Sequence, residues 1–103
     1  MQSVTSNAVA QAFYVKYIAK VSGNMPTAES QEVRINIPNI QSGEKIITLG
    51  ARVVRSSSYE YDIYTCGHIL VDPTNNQFIV YISGDMVPYI GGKEINILYA
   101  VFS

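Results

Sequence analysis

Charge is what this chain has least of. Lys, Arg, Asp and Glu make up 15% of its 103 residues, and the net charge is −1. Globular domains usually carry about a quarter. A surface so short of charge is either uncharged or hidden against another subunit. Near-neutrality also removes the electrostatic footprint that nucleic acid or an anionic membrane requires, so neither is expected as a partner. Cysteine occurs once, at Cys66, which excludes an internal disulfide and any cysteine-rich zinc site. A lone thiol in a chain this small is expected to be a buried packing residue. Tryptophan is absent, and the one histidine is His68. No apolar run approaches the ~20 residues that span a bilayer, so no membrane insertion is expected. The run Phe78-Ile79-Val80-Tyr81-Ile82 is of strand length. No basic region followed by an apolar core opens the chain, which is not the pattern of a signal peptide. There is no internal repeat and no low-complexity tract.

What is present is a core. Hydrophobic residues make up 48% of the chain, and a domain of this size buries roughly two thirds of its unfolded surface. From Phe13 the side chains alternate: Phe13, Val15, Tyr17, Ala19 and Val21 fall on one face, with Tyr14, Lys16, Ile18 and Lys20 on the other, a strand. Ser22 to Ser30 is a polar connection. Val33, Ile35 and Ile37 alternate with polar residues in a second strand that Pro38 stops, and a turn-rich stretch runs to Glu44. Strands Lys45–Arg55 and Tyr59–Cys66 flank Ser56-Ser57-Ser58 as a hairpin. Its register, pairing Arg55 with Tyr59, places Val53 opposite Tyr61 and Ala51 opposite Ile63 on one face, with Val54 opposite Glu60 and Arg52 opposite Asp62 on the wet one. Gly50, on the wet side, has the character of a bulge or a bend. Gly67 reads as a bulge in one long bent strand rather than a tight turn. Asp72 to Asn76 is the clearest turn, joining His68–Val71 to Gln77–Ser83. Gly84 to Lys93 is the longest late loop. The last strand, Glu94–Phe102, is apolar on both faces, which predicts cover by the core on one side and by a neighbour on the other. Six or seven strands with regular turns predict a mainly β fold, an antiparallel β-sandwich of jelly-roll type over residues 14–103.

Ahead of the first strand, Ser3-Val4-Thr5-Ser6-Asn7-Ala8-Val9-Ala10-Gln11-Ala12-Phe13 opens with residues that cap helices. Val4, Ala8 and Ala12 then recur at i, i+4, as do Val9 and Phe13. A helix of about two turns is too short to stand alone in water. It must lean on its own domain or on identical neighbours, and the alanines suit close approach in a bundle. The segment 1–13 is therefore expected to be a short N-terminal helix that links or oligomerises, with Val4, Ala8, Val9, Ala12 and Phe13 at the oligomer interface.

The string SVTSNAVAQAF resembles the VTSNAV segment of bacteriophage and prophage tail-fibre and receptor-binding proteins, where it precedes a mostly β C-terminal head. The match covers about a tenth of the chain. The resemblance implies a homotrimer carried on the virion (in the phage tail) and assembled in the host cytoplasm. In such proteins a fibrous shaft commonly precedes the segment. With Met1 and Gln2 directly before it, the chain reads as a fragment with an added start. No catalytic motif comes with the resemblance.

The residues themselves carry no familiar catalytic spacing. Gly-x-Ser-x-Gly and His-Glu-x-x-His are missing, and Gly91-Gly92-Lys93 is followed by Glu94 where a phosphate loop needs Ser or Thr. His68 is two residues from Cys66, but a nucleophile also needs an oxyanion site. Glu60 and Asp62 share a strand face about 7 Å apart, a separation glycosidases use; Arg52 opposite Asp62 favours a solvated face instead. The chain is thus expected to be non-enzymatic, with no metal and no cofactor. Tyrosine is the over-used residue: eight, against three Phe. Those in strands suit packing or subunit contact. Tyr89, beside Asp85 in the late loop, and Tyr59, beside the serine triplet, are better placed to stack on a sugar ring, with Asp85, Asn24 and Ser57 as hydrogen-bonding partners. Together with the resemblance, this implies host attachment by carbohydrate binding as the expected role, the ligand being a bacterial surface polysaccharide or glycoconjugate. The alternatives are a purely structural trimerisation or capping module and, less favoured, a polysaccharide-degrading enzyme.

Overall fold

The computed structural model describes residues 14–103. The expected helix over 1–13, with Val4, Ala8, Val9, Ala12 and Phe13, lies outside the described residues. The rest is mainly β. In chain order the strands are β1 (Val15–Asn24), β2 (Val33–Asn36), β3 (Lys45–Ser56), β4 (Tyr59–Asp62), β5 (Gly67–Asp72), β6 (Gln77–Ile82) and β7 (Glu94–Phe102), with one short helix, α1 (Val87–Ile90). They form two antiparallel sheets, ordered β1-β7-β3-β4 and β2-β6-β5.

Alternation along β7 explains how the two sheets share a core. Ile95, Ile97, Tyr99 and Val101 are all fully buried, each contributing about 1.5–3 kcal/mol by leaving water. They meet Ala51 and Val53 of β3 and, from the other sheet, Ile35, Phe78, Val80 and Ile82 in one continuous cluster. The Phe78 and Tyr99 rings meet edge to face at 5.5 Å between centroids, an arrangement worth a further ~0.5–1.5 kcal/mol. In β2 the polar Arg34 and Asn36 stay outside while Ile35 points in.

The hairpin register is the expected one: Arg52 faces Asp62, Val53 faces Tyr61 and Val54 faces Glu60. Beyond Val54 it shifts, so that Ser56, not Arg55, opposes Tyr59. Gly50 adjoins a bulge, since the pairing of β3 with β7 slips between Thr48 and Gly50.

The expected long bent strand through Gly67 is not formed, and β4 ends at Asp62 rather than Cys66. A 3-10 turn, Ile63–Thr65, intervenes and carries the chain from the first sheet to the second. The Asp62 carboxylate caps it, accepting from the Tyr64 N–H at 3.0 Å, while the Thr65 hydroxyl donates to the Asp62 carbonyl at 2.7 Å. Ile63 plunges into the core and fixes the crossing. Gly67 then lies against β6 so closely that a Cβ would stand 2.0 Å from the Tyr81 carbonyl oxygen.

The Ser22–Ser30 connection also differs from expectation. β1 runs on to Asn24, and Met25 and Pro26 are buried. The Met25 N–H continues the pairing by donating to the Lys93 carbonyl at 2.7 Å. Thioether and pyrrolidine ring thus plug one end of the core. The late loop, in turn, is folded into a 3-10 turn (Gly84–Met86) and α1.

These pairings define two ends. At the near end residue 14 leads into β1, Val15 pairs with Phe102, and the 38–44 and 73–76 connections meet. Lys16 bonds Glu44 at 2.6 Å there, and with the Gln41 N–H it holds the Glu44 carboxyl below its ordinary range. The Asn75 amide and the Arg34 guanidinium, the latter at 2.8 Å, hold the Asp72 carboxyl at about 2. The far end gathers Asn24, the Ser56–Tyr59 turn and the 83–93 loop.

Two glycine substitutions separate crowding from mere loss of flexibility. Gly67→Ala drives a methyl into the β6 backbone and is expected to cost about 1–3 kcal/mol or more. Gly50→Ala meets nothing within 4 Å and is expected to change stability by less than ~0.5 kcal/mol. Urea denaturation midpoints of the two variants check the contrast.

Candidate functional site

At the far end, two tyrosines, one opening β4 and one in α1, converge on one guanidinium. Arg55, at the end of β3, sits over the Tyr59 ring at 5.7 Å and over the Tyr89 ring at 4.9 Å from Cζ to centroid. Its Nη1 donates to the Tyr61 hydroxyl at 2.8 Å. The local causes can be named. The serine turn brings Arg55 and Tyr59 side by side, and Tyr61, packed against the core, gives Arg55 a fixed anchor. Tyr89 is presented by α1, which starts with Pro88 in its first turn and closes with the Gly91 N–H donating to the Val87 carbonyl. Ile90 is fully buried, and this holds its neighbour Tyr89 out towards solvent. Tyr59 is 62% exposed and Tyr89 48%. Each cation–π contact is worth about 0.5–1 kcal/mol at such exposed positions, enough to order the rings without hiding them.

Of the residues singled out from sequence, Tyr59 and Tyr89 are thus brought together. Ser57 lies at the tip of the same hairpin turn, two positions from Tyr59, where the Ser58 N–H donates to the Ser56 hydroxyl. Asn24 is at the same end, but its side chain is engaged, donating to the Gly92 carbonyl at 3.1 Å. It therefore braces the loop that carries Tyr89. Asp85 lies in the 3-10 turn before α1, exposed, with no side-chain hydrogen bond to the cluster. The residue missed from sequence is Arg55. Its signal was the hairpin itself, since a register that closes on the serine triplet sets Arg55 next to Tyr59.

A second concave surface lies on the outer face of the four-stranded sheet. It is a cleft of about 510 Å³ above Gly50, walled by Leu49 and Leu98 and by the charged Lys20, Arg52, Glu60 and Asp62. Glu60 and Asp62 do share this face, but the Asp62 carboxylate is already engaged as the cap of the 3-10 turn. Around the near half of the face, Ile18, Ile47, Leu49 and Leu98 are 42–61% exposed on three adjacent strands. Only Ala100, between Ile18 and Ile47 in register, is hidden.

Cys66 and His68 are not partners. Cys66 is fully buried at the end of the 3-10 turn, its Sγ directed to the Asp62 and Ile63 carbonyls, and burial pushes its thiol up from the ordinary value. His68 is exposed and stacks on Tyr81 at 4.6 Å. Among the described residues no group of His, Cys, Asp and Glu is arranged to hold a metal, and no helix is long and apolar enough to cross a membrane.

No family model, curated protein or solved structure matches this chain.

The buried thiol has a measurable consequence. Cys66 should react with a thiol reagent such as DTNB at least on the order of a hundredfold more slowly in the native protein than in the urea-unfolded chain, because modification requires opening of the core. Equal rates would place the thiol at the surface.

Proposed function

We propose that the protein is the receptor-binding head of a bacteriophage tail fibre, a non-enzymatic homotrimer that adheres to a bacterial cell-surface glycan. In this reading its two sheets form a jelly-roll-like sandwich, and residues 1–13 join it to the fibre on the virion. The observation that carries the reading is positional. Residue 14 enters at one end of the fold, while the exposed Tyr59–Arg55–Tyr89 cluster is built at the other. A fibre tip needs that polarity, with attachment behind and contact ahead. Tyrosine faces suit sugars because they offer apolar C–H contact and a hydroxyl together. Three weak sites on one fibre raise avidity without any new contact. The resemblance of SVTSNAVAQAF to tail-fibre segments supports the same assignment.

The exposed row of Ile18, Ile47, Leu49 and Leu98 supports a trimer, because an isolated domain rarely leaves so much aliphatic surface contiguous on one sheet. That row alone fits a second reading equally well, a structural trimerisation or capping module with the receptor read elsewhere.

Binding to an array of bacterial surface polysaccharides separates the two. Adhesion predicts retention by at least one glycan, weakened several-fold by Tyr89→Ala or Tyr59→Ala, without release of reducing ends. Failure to bind any host envelope fraction favours the cap, and release of reducing ends would replace adhesion with hydrolysis.

A further inference from the structure

The three arginines of the described chain differ in how their charge is met. Arg34 is doubly paired, with Glu32 at 3.3 Å and Asp72 at 2.8 Å. Arg52 shares its cleft with Glu60 and Asp62. Arg55 has no carboxylate in ion-pair range among the described residues; its one side-chain hydrogen bond goes to a neutral phenol. A guanidinium has five N–H donors in a rigid planar fork, so most of the Arg55 donors are left for a ligand. Two aromatic rings flank it and displace water from its faces, which strengthens the interaction of its edge with an anion. The Tyr61 hydroxyl fixes its position, so the ordering cost of binding is partly met beforehand. In a chain with so few charges, an anchored, unpaired and exposed cation between two sugar-stacking rings is a built recognition feature.

We infer that the glycan taken at this site is anionic: a saccharide whose carboxylate or phosphate accepts the free edge of Arg55 while adjoining sugar rings lie on Tyr59 and Tyr89. The inference rests on the adhesion reading and narrows it to a ligand class. It also assigns Arg55, rather than Asp85, as the residue that sets specificity.

The test uses the full chain on immobilised bacterial polysaccharides of three kinds: uronic-acid-containing, phosphodiester-containing and neutral. The expected result is retention on one or both anionic kinds and not on the neutral ones, weakening as salt is added. The retained kind identifies the anion as carboxylate or phosphate. Arg55→Gln is expected to lower affinity about tenfold or more, the loss of a charge-assisted hydrogen bond. Arg55→Lys, which keeps the charge without the fork, is expected to fall between. Matching far-UV spectra and melting curves exclude misfolding of either variant, both lying at an exposed position. Retention on neutral glycans with no effect of Arg55→Gln overturns the anionic class and leaves adhesion standing. No retention on any of the three overturns both.

Discussion

Strand β7 is the constraint on which the fold depends. It pairs with β1 along one edge from Glu94 to Phe102 and with β3 along the other from Ile95 to Phe102, so both of its edges are held in ladders. Its inner row of Ile95, Ile97, Tyr99 and Val101 supplies the floor on which the second sheet rests, through Phe78 and its neighbours. A strand so placed has both edges and one face satisfied. Its other face is not, and Leu98 stands exposed there among Ile18, Ile47 and Leu49. The same nine residues thus fix the core and contribute Leu98 to an exposed apolar row on the outer face.

The placement of the candidate site follows from the ends of this arrangement. Antiparallel strands deliver connections alternately to the two ends, except at the crossing turn Ile63–Thr65, which moves the chain between sheets without reversing it, so that β4 and β5 both run from the far end to the near end. The consequence is that the serine turn and the α1 loop, far apart in sequence, arrive at one rim and share Arg55. Burial does the aiming: Ile90 and Met25 are inside, so Tyr89 and the residues around Asn24 are outside. The near end is tied instead by ion pairs, Lys16 with Glu44 and Arg34 with Asp72, which are weakened by solvent and stabilise modestly.

How much of this was legible depended on whether a residue's neighbours were set by local period or by tertiary contact. The two-residue alternation of β1, β3 and β7, the facing of Val53 with Tyr61 and the bulge at Gly50 all follow from local pattern, and all are present. The helical turn at Ile63 was not readable, because Ile-Tyr-Thr are good strand formers; a single carboxylate cap and one buried isoleucine overrode that preference. Gly67 was recognised as special, but its reason is the Tyr81 carbonyl across the ladder, which periodicity does not reveal. Met25 and Pro26 looked like a solvated loop, since the backbone pairing that holds them is with Lys93 and Gly92, nearly seventy positions away in the chain. At the candidate site Tyr59 and Tyr89 were distinguished by lying beside the serine triplet and in the late loop, whereas Arg55 counted only as the end of a strand, its place between the two rings being set by tertiary contact.

We propose that the outer face of the β1-β7-β3-β4 sheet is covered by identical chains. Multi-angle light scattering of the intact protein at micromolar concentration tests it most directly. The account predicts a mass three times that of the 11.4 kDa chain, falling to that of one chain when Leu98 is replaced by Lys. A wild-type protein that stays at the mass of a single chain over the whole concentration range would contradict it.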